Sequence, residues 1–294
     1  MQLSANGISI EVEDHGSPNG EPLLLVMGLG MQLVAWHEDF VAGLVGRGFR
    51  VIRFDNRDIG LSQRFDHLGV PNLMLDSVKF AFGMGVKSGY SIADMADDAV
   101  GILDALGIRS AHVCGASMGG MIAQHMAVRH AQRLKSLTLM MTTSGSRRLP
   151  GPTLKVRRAL ISRPADANQV DNVVDHYVQL YRLIGSPGYP ATDEYLKERL
   201  GFSVRRSYRP QGTARQMVAI AADGNRSPWL GQIRLPVQII HGHDDPLVPV
   251  AAGHDLATKI KGAAIDVIDG MGHDLPKPLW PRFTADITSA AGRA

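Results

Sequence analysis

Three residues that lie far apart in the chain have the types and the order needed to cleave an acyl bond. Ser117 lies in the sequence GASMG, which fits the pattern G-x-S-x-G. A serine hydroxyl is a weak nucleophile at neutral pH, so it needs a base within hydrogen-bond reach and a third group that orients the base. We expect His273 and a downstream aspartate, Asp245, to supply these two groups.

The residues around Ser117 predict a strand, a sharp turn and a helix. AHVCGAS has the apolar character of a buried strand, and MGGMIAQHMAVRH that of a helix. Gly115 and Gly119 remove the side chains that would collide in a strained turn. The N-terminus of the helix would favour negative charge beside the serine. A plain glycine-rich turn is the alternative, but the strand and helix on either side favour a nucleophile.

Position in the chain selects His273 among the eleven histidines. His273 lies in GMGHDLP, directly after the last predicted strand, and glycines next to it would let the loop bring an imidazole over the serine. His176 falls in a predicted helical region and could contact a substrate. His241 ends a predicted strand and is expected to form a local hydrogen bond instead.

The sequence HGHDDPLVP offers two candidate acids, Asp244 and Asp245, in a loop after a predicted strand. The same loop carries His241 and His243, so its residue types would also suit a metal ion. A second set of ligands at a recognised spacing is missing, however, and we expect no metal site.

Two backbone amides are candidates for holding the oxyanion of a tetrahedral intermediate. One is the amide of Met118, the residue after the nucleophile. The other is the amide of Leu29 in MGLG, where flanking glycines would let the chain turn back towards the serine. Taken alone, these glycines would indicate only an ordinary loop.

The candidate catalytic residues must be positioned by strands and helices, and these alternate along the chain. The alternation predicts a mainly parallel α/β sheet of eight strands with helices on both faces. The first two strands are expected to pair antiparallel. The predicted strands are 2–5, 8–14, 22–28, 49–55, 111–117, 134–141, 237–242 and 264–270. Amphipathic helices are predicted at 91–107 and 280–290.

The alternation of strands and helices stops between residues 143 and 235, where the segments look helical and no central strand is evident. We therefore expect a sheet core formed by 1–142 and 236–294, with 143–235 inserted as a helical cap, or lid. Residues 70–90 form a longer connection than a compact turn requires, and we expect them to join the lid.

A substrate pocket would be apolar, and methionine adapts to irregular shapes. The same side chains could equally be ordinary core. The candidate pocket residues are Gly28, Gly30, Met31, Trp36, Met74 and Met84.

Composition excludes several classes of protein. With 31 Lys and Arg against 28 Asp and Glu, the formal net charge is only +3, which gives no case for nucleic acid as a partner. Cys114 is the only cysteine, so no intramolecular disulfide can form. We find no signal peptide and no apolar run long enough to span a bilayer. We therefore expect a cytoplasmic protein without a membrane partner.

Four stretches together resemble the α/β-hydrolase superfamily, and within it the bacterial serine esterases related to aclacinomycin methylesterase. They are VMGLG, DNRDIGLS at 55–62, GASMGGMIAQ and GMGHDLPKPLWP. Many members of the superfamily have His-Gly before the oxyanion loop, whereas this chain has Met27 and Gly28. The esterase subgroup also carries Met-Gly there, so the departure supports the subgroup.

The resemblance covers nearly the whole chain and implies a catalytic triad of Ser117, Asp245 and His273. In the family the acid stands immediately before a proline, which favours Asp245 over Asp244. The resemblance also implies an oxyanion hole formed by the Leu29 and Met118 amides, no cofactor, and a small-molecule ester as substrate.

The function that we expect is hydrolysis of small to medium carboxylic esters through an acyl-serine intermediate. The same triad could instead hydrolyse a lactone, an amide or a carbon–carbon bond, or carry out perhydrolysis, and fold cannot separate these reactions. A ligand-binding receptor with little turnover is an alternative from another class. Epoxide hydrolases and haloalkane dehalogenases are disfavoured, because they need a carboxylate where Ser117 stands.

Overall fold

The computed structural model describes residues 1–294, and its strands form a single sheet. The strands are β1 (Gln2–Ala5), β2 (Ile8–His15), β3 (Glu21–Val26), β4 (Phe49–Phe54), β5 (Ala111–Ala116), β6 (Leu134–Met140), β7 (Val237–Gly242) and β8 (Ala264–Ile268). Their order is β1-β2-β4-β3-β5-β6-β7-β8. Strand β2 pairs antiparallel with both β1 and β4, and every other pair is parallel. The predicted eight-stranded, mainly parallel sheet is confirmed.

Eleven α-helices accompany the sheet. They are α1 (Glu38–Val45), α2 (Leu73–Ala81), α3 (Ile92–Ala105), α4 (Met118–Arg129), α5 (Leu154–Leu160), α6 (Val170–Ile184), α7 (Asp193–Arg206), α8 (Pro210–Asp223), α9 (Ser227–Leu230), α10 (Ala251–Lys259) and α11 (Trp280–Ala291). None of them combines the length and the apolar character that crossing a bilayer would require.

The parallel strands are buried on both faces, which explains their unbroken apolar runs. In β3, Leu24 and Val26 join the larger core beneath α3 and α4. Leu23 and Leu25 point the other way, into a second core with α1 and α11. The alternation follows from the two-residue period of a strand. Both cores therefore hold the sheet rigid at the point where its loops begin.

The chain between β6 and β7 carries the five helices α5 to α9 and no strand, as its sequence pattern predicts. Six buried side chains of this segment form one small core between α6 and α7, with three residues from each helix. They are Val173, Val174, Val178, Leu196, Leu200 and Val204. These helices thus pack against one another as well as on the sheet.

Two expectations from the sequence need correction. Residues 70–90 contain helix α2 rather than only a loop, and Asn72 caps that helix by accepting a hydrogen bond from the Leu75 amide (3.1 Å). No residue of α2 is buried, so α2 contributes no side chain to either core of the sheet. Trp36 has no exposed surface and stacks on Phe40, so it is a core residue and does not line an open pocket.

The packing of α11 beside β8 brings two carboxyl groups together. Burial, together with the neighbouring carboxylate of Asp266, raises the pKa of Asp286 to about 7. Arg282 donates hydrogen bonds to both oxygens of Asp266, at 2.7 and 2.6 Å, while one oxygen of Asp286 is buried without a partner. The folded protein therefore holds a proton at Asp286 that the unfolded chain releases at a lower pH.

We predict that Asp286→Asn removes part of the pH dependence of stability. A carboxyl whose pKa is raised on folding costs stability as pH rises from about 4 to about 7, because ionisation favours the unfolded chain. In urea unfolding, the variant should match the wild type near pH 4 and exceed it above pH 7 by on the order of 1 kcal/mol, since partial solvent exposure weakens the effect.

The matched control for this prediction is Asp269→Asn, because the Asp269 side chain is 97% exposed. It should leave the difference from wild type constant with pH. A constant difference for Asp286→Asn as well would contradict the assignment.

Candidate active site

Ser117 occupies a sharp turn between β5 and α4. Its φ of 55° lies in the left-handed region, which residues other than glycine rarely adopt. Two hydrogen bonds hold the turn: the Ser117 amide donates to the Met140 carbonyl (2.9 Å), and the Thr142 hydroxyl donates to the Ser117 carbonyl (2.7 Å). Strain of this kind persists only when the surroundings enforce it. The turn places the Ser117 hydroxyl at the carboxyl edge of the sheet, at the N-terminus of α4.

The glycines on either side of Ser117 are required by close backbone contacts. A Cβ on Gly115 would lie 2.3 Å from the Gly119 carbonyl oxygen. A Cβ on Gly119 would lie 2.1 Å from the carbonyl oxygen of Val26, at the end of β3. Because no side chain intervenes, the first turn of α4 packs directly against the end of β3, from which the predicted oxyanion loop departs.

The loop after β8 brings His273 to the serine. Nε2 of His273 lies 3.0 Å from Oγ of Ser117, and its Nδ1 lies 2.7 Å from Oδ2 of Asp245. The three predicted side chains are therefore brought together in one hydrogen-bonded row. His273 is 8% exposed and Asp245 4%, so both are largely shielded from bulk water.

The two candidate acids point in different directions. Oδ1 of Asp245 accepts hydrogen bonds from the amides of Leu247 (2.9 Å) and Val248 (2.8 Å), which leaves Oδ2 for the imidazole. Asp244 instead accepts a hydrogen bond from the Gly270 amide (2.8 Å). The geometry thus gives the carboxylate contact with His273 to Asp245.

The other polar residues of the acid loop have separate partners. Nε2 of His241 lies 2.7 Å from the Val248 carbonyl oxygen, and burial lowers the pKa of His241, which favours the neutral ring. His243 lies beside Asp269 on the surface, at 3.8 Å. The local hydrogen bond expected for His241 is therefore present in the structure.

The predicted oxyanion loop passes directly over Ser117. A Cβ on Gly28 would lie 3.2 Å from the Ser117 Cβ. Asn56 fixes the start of this loop by donating to the Met27 carbonyl (2.9 Å). The amides of Leu29 and Met118 donate no hydrogen bond within the chain, so both are free to bind an oxygen.

The remaining pocket candidates separate into two groups. Gly30 and Met31 contact the helices between β6 and β7, because the Gly30 amide donates to Gln216 Oε1 (2.9 Å) and the Tyr181 hydroxyl lies 3.5 Å from the Met31 sulfur. Met74 and Met84 lie on the outer surface and are 79% and 51% exposed.

Ser186 and Asp274 form a contact that the sequence pattern does not reveal. The Ser186 hydroxyl accepts a hydrogen bond from the Gly272 amide (2.9 Å) and donates one to Asp274. The His273 amide donates to the Ile184 carbonyl at the end of α6 (2.7 Å). Burial raises the pKa of Asp274. The chain after α6 therefore holds the histidine loop in place.

A family model for the alpha/beta hydrolase fold matches residues 21–276, a range that includes Ser117, Asp245 and His273. The chain belongs to the α/β-hydrolase fold family. The predicted relationship to this superfamily is thereby confirmed.

Relatives of this α/β hydrolase cover almost its whole length. Rhodomycin D methylesterase DauP of Streptomyces sp. (strain C5) is 28% identical over 97% of this chain and 95% of its own. A 2-hydroxy-6-oxononadienedioate/2-hydroxy-6-oxononatrienedioate hydrolase of Pseudomonas sp. is 27% identical over 90% of this chain and 85% of its own. Among solved structures, esterase RhEst1 of Rhodococcus sp. ECU1013 superposes with a TM-score of 0.77 at 19% identity, covering 100% of this chain and 98% of that one.

We predict that Gly119→Ala destabilises the hydrolase by about 1–3 kcal/mol, because the new methyl group would force the Val26 carbonyl or α4 to move. The measurement is the urea midpoint at constant m-value. Gly85→Ala is the matched control: no heavy atom lies within 4 Å of its Cβ position, and the change should stay within about 0.5 kcal/mol. Equal stability of the two variants would show that the close contact at Gly119 does not constrain the fold.

Proposed function

We propose that this α/β hydrolase cleaves carboxylic esters through an acyl intermediate on Ser117. The observation that carries the proposal is the row of contacts from Ser117 Oγ to His273 Nε2 (3.0 Å) and from His273 Nδ1 to Asp245 Oδ2 (2.7 Å). Both distances are within the range that proton transfer and orientation of the base require.

In the first step, Nε2 of His273 accepts the hydroxyl proton while Ser117 Oγ attacks the ester carbonyl carbon. The imidazolium that forms is stabilised by Asp245. Two backbone amides already hold the other oxygen of that carboxylate, so the acid needs no reorganisation. Collapse of the tetrahedral intermediate breaks the bond to the alkoxy oxygen, which leaves as an alcohol after taking the proton from His273.

In the second step, water replaces the alcohol. His273 accepts a proton from the water, the hydroxide adds to the acyl carbon, and the acid product leaves as Ser117 regains its proton. The amides of Leu29 and Met118 are assigned to the oxyanion in both steps. A single donor of this kind is typically worth about 3 kcal/mol in the transition state. The positive end of α4 adds to the same stabilisation. This mechanism uses no cofactor.

The helical segment 143–235 is proposed as a cap on a core formed by 1–142 and 236–294. Its contacts with Gly30, Met31 and the histidine loop support this division, because residues of the segment lie against the loops on both sides of Ser117. We propose that the cap shapes the pockets for the acyl and alcohol groups, with Met31 on the wall that faces Tyr181.

An ester is the substrate class that we favour, because the two rhodomycin D methylesterases cover 97% of this chain at 28% identity. A relative named for a dienedioate substrate shows that the fold family also serves other reactions. Activity assays with substrates of each class decide between ester hydrolysis and these other reactions.

We predict that the wild type hydrolyses p-nitrophenyl esters of short to medium acyl length. Ser117→Ala should lose at least about a thousandfold in kcat/KM, because no nucleophile remains. Ser289→Ala, on the exposed side of α11, is the control and should keep wild-type activity. Turnover that survives Ser117→Ala would exclude Ser117 as the nucleophile. A wild type that is inert towards esters but binds an apolar ligand tightly would favour a receptor.

A further inference from the structure

Helix α2 and the residues that follow it expose an unusual number of large apolar side chains. They are Met74, Leu75, Val78, Phe80, Phe82 and Met84. Met74 and Phe82 are each 79% exposed, and no residue of α2 is buried. Contiguous exposed apolar surface of this kind marks an interaction site. A helix of nine residues also gains little stability in water by itself, so a partner that covers α2 would stabilise it.

A cluster of exposed cations lies in the segment 147–163, which includes α5. Its members are Arg147, Arg148, Lys155, Arg157, Arg158 and Arg163. The segment contains no Asp or Glu, and none of the six cations forms an ion pair in the structure. Leu154 and Ile161 stand between them and are 72% and 51% exposed. Unpaired positive charge and exposed apolar surface therefore occur in the same segment.

Arg147 connects the basic segment to the apolar helix. The Arg147 guanidinium donates a hydrogen bond to the Phe80 carbonyl (2.9 Å) and stands 5.1 Å from the centre of the Phe80 ring. This contact joins the end of α2 to the start of the basic segment. We call the surface formed by 73–84 and 147–163 the basic-apolar face.

We propose that the basic-apolar face binds the surface of an anionic lipid bilayer. The apolar side chains would enter the boundary between headgroups and acyl chains, while the cations would contact lipid phosphates. The charge of the face selects this partner over a second copy of the chain, because two such faces would bring twelve unpaired cations together. Lying on a bilayer needs no spanning helix. Binding of this kind would give the protein a membrane partner, contrary to the expectation from its composition, and does not depend on the proposed reaction.

The test is co-sedimentation of the full chain with vesicles. We expect binding to vesicles of phosphatidylcholine and phosphatidylglycerol in about a three to one ratio, weak binding to phosphatidylcholine alone, and loss of binding in high salt. Arg157→Glu with Arg158→Glu should lower the affinity at least about tenfold, because both the attraction and the net charge of the face fall. Phe82→Ser should weaken binding through the apolar contribution.

Matched variants distinguish binding by the basic-apolar face from general effects of net charge and exposed apolar surface. Arg47→Glu with Lys261→Glu makes the same change in net charge at exposed positions elsewhere, and Phe202→Ser removes an exposed phenylalanine from α7. Both controls should bind as the wild type does. All variants change exposed side chains, and their thermal unfolding should confirm that they fold.

Three results would overturn the proposal. The first is absence of salt-sensitive binding to the anionic vesicles. The second is a loss of binding that is equal in the face and control variants. The third is a dimer in sedimentation equilibrium that Phe82→Ser dissociates, with no binding to vesicles, which would make the face an interface between two copies of the chain.

Discussion

The contact between the His273 imidazole and the Ser117 hydroxyl joins residues that are 156 positions apart, and the architecture of the sheet makes it possible. Parallel strands direct their carboxyl ends to one edge, so the loops after β5, β7 and β8 open at the same place. Each loop contributes one side chain. Because two packed cores hold the strands from both faces, the loops that leave these strands start from fixed positions and can keep the three side chains aligned.

The second constraint is the attachment of the helical segment to both sides of the site. Gln216 accepts a hydrogen bond from Gly30 in the proposed oxyanion loop and donates one to the Arg57 carbonyl (3.0 Å). Ser186 joins the end of α6 to the histidine loop. A movement of these helices would therefore act on the proposed base and on the proposed oxyanion donors together. The proposed cap and the proposed chemistry are coupled through these contacts.

Most of the sheet was predictable because a strand buried on both faces leaves an unbroken apolar run, as in β3. Helix α3 was predictable from its amphipathic pattern, and in the structure a capping box of Ser91 and Asp94 marks its start. The serine turn was predictable because strained geometry demands glycine. Contacts such as Ser186 with Asp274 were not, since pairing between distant polar residues has no local period. Helix α2 escaped prediction for another reason: it has nine residues, fewer than the window of about 11 over which a helical period is recognised.

The claim that His273 activates the Ser117 hydroxyl can be tested without knowledge of the natural substrate, by the rate of labelling with a fluorophosphonate followed by peptide mass mapping. We expect a single adduct on Ser117, which the wild type forms and His273→Ala forms at least about a hundredfold more slowly. An adduct on another residue, or equal rates of labelling in the wild type and His273→Ala, would contradict it.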